Sequence, residues 1–364
     1  MTAKQEHEHK RLPHRGGPPA IAFGGELPYA CGYTQWALRS GTLTRMPRGS
    51  SMTSQVLAKA CLARISRRAS TALLYHGSYA EVPTELKKDL HNVRPAIIHR
   101  QLEVLKRTFK FVALDEYADA GDRRGLASVT FDDAYRCVFE EALPVLESLG
   151  IPATVFVNTC TLQGKPIWRD KLRVVINSDL EADWDRFTRG RFKIEGMNSY
   201  RSTKDPRVNS AEVDRALDEF LGRRNLSVPA GTYCQSPEEL PRSPLLSYGN
   251  HSHAHYLLSS LSREQQQLQI ETARDALRAI PGINRTGFFA VPFGGEDTFD
   301  ANTVAILQDL GYKGLLLSRH RLNRRPASIG GLRVVERLML REGRLLRDLL
   351  LALARSFLRD NLQV

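Results

Sequence analysis

Asp132 and Asp133 stand side by side at the end of the apolar run Val129-Thr130-Phe131. Adjacent carboxylates leaving an extended strand point to different sides, so one can ligate a cation while its neighbour takes a proton. An Asp pair ahead of an apolar helix is also a common N-cap. A second cluster, His251-Ser252-His253-Ala254-His255, spaces its outer imidazoles four apart. On a helical turn that spacing puts His251 and His255 on one face, and imidazole nitrogen is the usual ligand for a zinc-like ion. His253 suits a supporting position, or replaces His251 if the chain stays extended; a surface histidine cluster is the plainer alternative. A third stretch, Phe289-Ala290-Val291-Pro292-Phe293-Gly294-Gly295, joins a proline that lacks an N–H to glycines that allow a sharp turn. It either presents the Phe293 amide to a cavity or simply ends a strand. Trp168 and Arg169 bring an indole that can stack on a sugar and a guanidinium that can hold phosphate or carboxylate, unless the pair anchors a buried helix. With Pro292 they are the candidate substrate contacts.

The first three stretches each follow a predicted strand. From Ser70 onward the hydrophobic period alternates between two and about three and a half. Strands are expected at Thr71–Tyr75, Phe111–Leu114, Ala127–Phe131, Ala153–Val157, Leu245–Tyr248, Gly287–Val291 and Gly314–Leu317. Helices are expected at Ile97–Phe109, Val138–Leu149, Arg263–Ala279 and Thr298–Leu310. That alternation implies an α/β fold with parallel strands and helical crossovers, closed as a barrel that carries reactive groups at its strand ends. The rhythm breaks between about 165 and 240, where Trp168–Asn177 and Ser210–Arg223 read as helices of an inserted helical or loop cap. The barrel is expected over 71–342, followed by an amphipathic helix in 343–364 that turns Leu346, Leu349, Leu350, Leu353 and Phe357 to the core. Residues 52–70 read as a basic amphipathic helix, and residues 1–51, rich in Gly and Pro without apolar period, as a disordered tail or a misassigned start with Met52 as initiator.

Thr130-Phe131-Asp132-Asp133, His251-Ser252-x-x-His255 and Phe289-x-x-Pro292-Phe293-Gly294, in that order, resemble the motif set of the NodB-homology polysaccharide deacetylases, carbohydrate esterase family four. The likeness runs from about Ala72 to Leu317 and includes Leu74-Tyr75-His76 and Leu258 to Leu261. It implies a distorted (β/α) barrel and metal-dependent removal of an N- or O-acetyl group from a sugar of a polysaccharide, oligosaccharide or glycan precursor. Asp133, His251 and His255 would then hold one divalent ion, zinc ahead of cobalt, nickel or manganese. Asp132 would be the general base, and the Phe293 N–H would stabilise the oxyanion. Better-known members carry an arginine where this chain has Ala290; the sequence looks like a sub-branch that does without it. The family's Leu-His segment is also missing, which leaves His320 as the candidate acid, with protonated Asp132 or a metal-bound water as substitutes, and His76 as a structural or site-wall residue. These two departures motivate the alternative of a degraded relative that binds glycan without hydrolysing it.

Composition narrows the remaining classes. With 364 residues, 42% hydrophobic and 25% charged, the chain has the proportions of a globular protein, and its apolar runs are too short to cross a bilayer. Five cysteines without CxxC spacing suggest reduced thiols rather than a disulfide framework. The net charge of +12 is concentrated in residues 1–70, with eleven Lys/Arg against three Asp/Glu. A nearly balanced remainder argues against specific nucleic-acid binding, while an anionic membrane surface is an expected partner for 52–70. No secretory signal pattern is evident, so a cytoplasmic location, peripheral to the inner membrane face, is expected.

Overall fold

A computed structural model describes residues 51–362, with side chains between 59 and 358. The segment 1–50, most of the proposed tail, lies outside the described residues. Helix α1 (Ser51–Ser66) leads into β1 (Thr71–Tyr75). Then come α2 (Pro95–Lys106), the two-residue β2 (Lys110–Phe111), α3 (Leu114–Asp119) and β3 (Leu126–Phe131). A π-helical turn, Val138–Ala142, runs into α4 (Leu143–Leu149), which precedes β4 (Ala153–Val157). Four helices follow before the sheet resumes: α5 (Trp168–Asn177), α6 (Glu181–Phe187), α7 (Ser199–Ser202) and α8 (Ser210–Gly222). The remainder is β5 (Leu246–Asn250), α9 (Arg263–Ala279), β6 (Asn284–Ala290), α10 (Ala301–Asp309), β7 (Gly314–Leu317), β8 (Ala327–Ile329), β9 (Leu332–Met339) and α11 (Leu345–Leu362).

The strands pair in the order β1-β3-β4-β5-β6-β7-β9 and β9 returns to β1, closing a parallel barrel of seven. The alternation of each strand sorts its side chains. Val129, Phe131, Val155 and Val157 join the core beneath the outer helices. Ala72, Phe156, Phe288, Ala290, Leu316 and Val335, from the opposite set of positions, form a separate cluster with Leu114 and Tyr117 of α3. The Phe156 ring demands Gly249 on the neighbouring strand, since a Cβ there would sit 2.3 Å from the ring.

Three expectations are corrected. Phe111–Leu114 is not a strand: pairing stops at Phe111, and the chain turns into α3 at Leu114. The expected strands stop at Gly314–Leu317, whereas one more, β9, which carries Glu336 and Arg337 among its apolar residues, closes the barrel inside the expected 71–342. Helix α11 is turned slightly from its expected face: Leu349 is buried and Leu346 and Leu353 pack against the core as expected, but Ala352 and Ser356 are buried too, whereas Leu350 is 43% exposed. Polar anchoring explains the rotation, since buried Asp348 pairs with Arg341 and Ser356 Oγ bonds to the Leu322 backbone.

Residues α5 to α8 gather their own apolar core, built from Trp168, Leu172, Trp184, Val213, Leu217 and Phe220. Helix α1 buries Leu62 and Ile65 and leaves Lys59 and Arg64 exposed, as are Arg67 and Arg68 in the turn that follows it.

Candidate active site

Strand β3 hands its last ladder bond to Asp132, whose N–H donates to Tyr75 O at 3.0 Å. The chain then leaves extended geometry abruptly, with φ of 68° at Asp133 and 51° at Ala134. This left-handed step, unfavourable for residues with a Cβ, is held by a fully packed strand end and separates the two carboxylates. Asp132 is taken by an arginine: Arg337 Nη1 and Nη2 donate to Oδ1 and Oδ2 at 2.6 and 2.8 Å, and Nη2 also donates to Ser318 Oγ at 3.1 Å. Both partners are buried.

Asp133 faces the histidines instead. Its Oδ1 lies 3.6 Å from His251 Nε2 and 3.4 Å from His255 Nε2. The two imidazoles are not on a helical turn. They ride an irregular loop with positive φ at Ser252 and His255, held by Asn250 Oδ1, which accepts from Ser252 N, and by Ser252 Oγ, which accepts from His255 N. The loop nevertheless brings their rings to 4.9 Å between centroids. His251 Nδ1 bonds Ala290 O at 2.8 Å, which makes it the protonated nitrogen and turns the Nε2 lone pair toward both carboxylates, 3.6 Å from Asp132 Oδ2 as well as from Asp133 Oδ1. His253 is excluded from the cluster because its Nδ1 is committed to Thr159 Oγ1 at 2.9 Å.

One ligand atom from each of Asp133, His251 and His255 can be chosen so that all lie within 4.8 Å of one another. Asp133 Oδ1 and His251 Nε2 are buried without hydrogen-bond partners. Unpartnered acceptors converging in a buried place are the signature of a missing cation, so a divalent ion fits this donor set. The electrostatics agree. Burial, with Asp132 and Asp170 nearby, pushes the Asp133 carboxyl well above its ordinary range. Burial also pushes His251 and His255 down, keeping them neutral donors. For Asp132 burial is outweighed by Arg337 and the adjacent imidazoles, and its carboxyl is held below the usual range.

The remaining candidates divide. Phe293 adopts φ 65° after buried Pro292, and its N–H takes no backbone partner among the described residues. Gly294 is required beside it, because a Cβ would meet Ser318 N at 2.5 Å. The Phe293 ring lies 4.8 Å from that of His255. Trp168 does not offer a stacking face at a rim: it is fully buried, and its Nε1 donates to His255 O at 2.8 Å, bracing the ligand loop. Arg169 is likewise 1% exposed rather than at an open edge. His320 sits among Arg355, Arg341 and Asp348, and the acidic pair does not act on it, which removes the ground for naming it the acid. His76, by contrast, feels the charges of Asp132, Arg337 and His251, as its place after the last residue of β1 requires.

The model of the polysaccharide deacetylase family matches residues 120–178 and 228–315. These stretches contain Asp132, Asp133, His251, His255 and Phe293. The chain belongs to the polysaccharide deacetylase family. As a member it is a hydrolase that deacetylates glycans. Among solved structures it is similar to IcaB from Ammonifex degensii, with 17% identity, TM-score 0.48, and 78% of this chain and 97% of that chain covered. Streptococcus pyogenes deacetylase PplD in complex with acetate gives 16% identity, TM-score 0.47, and coverage of 78% and 97%. The BpsB deacetylase domain from Bordetella bronchiseptica gives 15%, 0.43, and coverage of 75% and 96%. No curated protein matches the chain. The family match ends before β9, so Arg337 lies outside it.

Arg337 is the functional residue that sequence reasoning misses. Ala290 was taken to mean that the base has no arginine, whereas the guanidinium arrives from a different strand. The available signal was Leu332–Met339, an apolar run of strand length interrupted by Glu336-Arg337. A charge pair inside such a run is tolerated only where each charge finds a buried partner, and both do: Glu336 pairs with Arg319, Arg337 with Asp132.

Proposed function

We propose that the protein removes an acetyl group from a glycan with one divalent ion, zinc first, held by Asp133, His251 and His255, and with Asp132 as base. The single observation that carries this reading is the division of labour between neighbouring carboxylates, one locked by Arg337 and the other facing two neutral imidazoles. Bound there, the ion would supply positive charge that polarises the acetyl carbonyl and acidifies a water. Arg337 holds Asp132 ionised and aimed, ready to accept the proton of the attacking water. The Phe293 N–H donates to the oxyanion that forms on the acetyl carbon. The proton taken by Asp132 is the one the departing sugar nitrogen or oxygen needs. Burial keeps His76 neutral, so the carboxyl itself delivers that proton. Acetate release from acetylated oligosaccharides tests the reading. Release is expected with added zinc, cobalt, nickel or manganese, and its abolition by a chelator should be reversed by the metal. Glycan binding without release under any metal would favour the degraded relative instead.

An accessory membrane contact is supported by α1 and α11, two helices in contact with each other. The outer arc of α11 carries Arg347 and Arg355 together with Leu350, Leu351 and Leu358, the last 64% exposed, and Arg344 is exposed just before it. No acidic side chain is exposed among the described side chains of α1 and α11. Such a face suits an anionic bilayer. Sedimentation with phosphatidylglycerol vesicles, but not with phosphatidylcholine vesicles, is expected at low salt and is lost on Leu351→Glu/Leu358→Glu; equal sedimentation of the variant rejects the contact.

A further inference from the structure

Beside the metal ligands, on the side built by α5 and α7, the chain assembles cations for which the hydrolytic step has no use. Arg169 is 1% exposed, yet no carboxylate lies within ion-pair distance of it among the described residues. Its Nη1 donates to Thr203 Oγ1 at 3.0 Å, while its Nε is buried without a partner. Aromatic faces surround it, with Cζ 4.0 Å from the Tyr200 ring centroid, 4.7 Å from Trp168 and 5.6 Å from Phe293. Lys204 joins it, with Nζ 4.2 Å from the Tyr200 centroid and 5.6 Å from Phe293, again without an ion pair. Arg173, by contrast, is neutralised by Asp170.

Aromatic faces attract a cation but do not cancel its charge, so a buried, uncompensated guanidinium beside a partly exposed ammonium is costly unless an anion completes the group. The groups around the pair also include Asp89, whose charge reaches Arg169 from beyond ion-pair distance, and the Tyr200 phenol, which donates to Asp89 O. Burial pushes that phenol up, yet Arg169, Arg173 and Lys204 bring it down to about 7, the direction that neighbouring positive charge imposes. Lys204, Tyr200 and Phe293 are partly exposed, while Arg169 lies beneath them. The Phe293 ring neighbours both groups, its centroid 5.6 Å from Arg169 Cζ and from Lys204 Nζ and 4.8 Å from the His255 ring.

The geometry points to an anion subsite, with Lys204 as the contact and Arg169 as the buried charge behind it, that takes a phosphate or carboxylate carried by the acetylated glycan. Resting on the deacetylase reading, it makes an anionic sugar rather than a neutral one the preferred substrate class. One aromatic ring separates the subsite from the ligand histidines, so a substituent on the same or the adjoining sugar can occupy it while the acetyl group is at the base.

The test compares three matched acetylated disaccharides, one neutral, one bearing a uronate and one bearing a phosphate monoester, and separately measures inorganic diphosphate binding by calorimetry. For the wild-type protein kcat/KM is expected to be at least tenfold higher for one charged substrate than for the neutral one; which charged sugar wins separates carboxylate from phosphate. Lys204→Gln should bring the ratio toward one, mainly through KM, and Lys204→Arg should restore most of it. Diphosphate should bind wild type and Asp133→Ala alike and bind Lys204→Gln at least tenfold more weakly. A wild-type ratio near one, or a ratio untouched by Lys204→Gln, overturns the subsite and leaves the deacetylase reading standing. If no sugar releases acetate, that reading fails, and the Lys204-dependent loss of diphosphate binding then decides the subsite by itself.

Discussion

Asp133→Ala and His255→Ala are each expected to purify with less than about a tenth of the divalent metal of the wild-type protein and to release no measurable acetate, while Asp132→Asn retains the metal and turns over about a thousandfold more slowly. The contrast follows from the site's asymmetry. Asp133 Oδ1 is buried and unpartnered between two imidazoles, so removing it deletes a ligand and little else. Asp132 has both oxygens engaged by Arg337, so asparagine keeps the shape of the pocket but cannot accept the water's proton. Elemental analysis and acetate release on the same preparations read both effects. Normal turnover by Asp132→Asn would reject the base, and full metal content in Asp133→Ala would reject the ligand set.

Arg337→Gln should lower kcat by about a hundredfold at neutral pH with a smaller change in KM, and should move the acid limb of the pH–rate profile upward. The sign follows from the base. Burial raises the Asp132 carboxyl, and Arg337 more than reverses this, so the wild-type base stays ionised as pH falls below the usual carboxylate range. Without the guanidinium, burial dominates and the carboxyl protonates at higher pH. The same linkage acts on stability. A carboxylate with a depressed folded-state value stabilises the fold above its unfolded value of about 3.9, and that contribution fades as pH falls through the folded-state value. Breaking a buried pair on one side costs roughly 3–5 kcal/mol, so the denaturant midpoint should also drop. Arg337→Lys retains the charge without the two-pronged geometry and should recover part of kcat while keeping the acid limb close to that of wild type. An unmoved acid limb in Arg337→Gln would show that Asp132 is not the group titrating in the rate.

The reach of the sequence follows from which interactions are local. Thr71–Tyr75, Ala153–Val157, Trp168–Asn177 and Arg263–Ala279 stand where the pattern places them, because buried strands and amphipathic helices write their surroundings into their own period. Asp132, Asp133, His251 and His255 were legible as chemistry because adjacent carboxylates and paired imidazoles are rarely useful for packing. The geometry joining them was not, since the histidine loop depends on Asn250 and Ser252 hydrogen bonds rather than on helical spacing. Trp168 illustrates a different limit: indole chemistry is the same on a sugar and in a core, and only the bond to His255 O tells which holds. The signal for Arg337, a charge pair inside an apolar run, named no partner, because Asp132 lies 205 residues away.

That separation has a consequence for biogenesis. A ribosome must emit the chain through β9 before the counter-charge of Asp132 exists, so nascent chains hold the aspartate and histidine motifs long before their surroundings are complete. A product that stops after β7 lacks both the stave that seals the barrel and the guanidinium that pairs with Asp132.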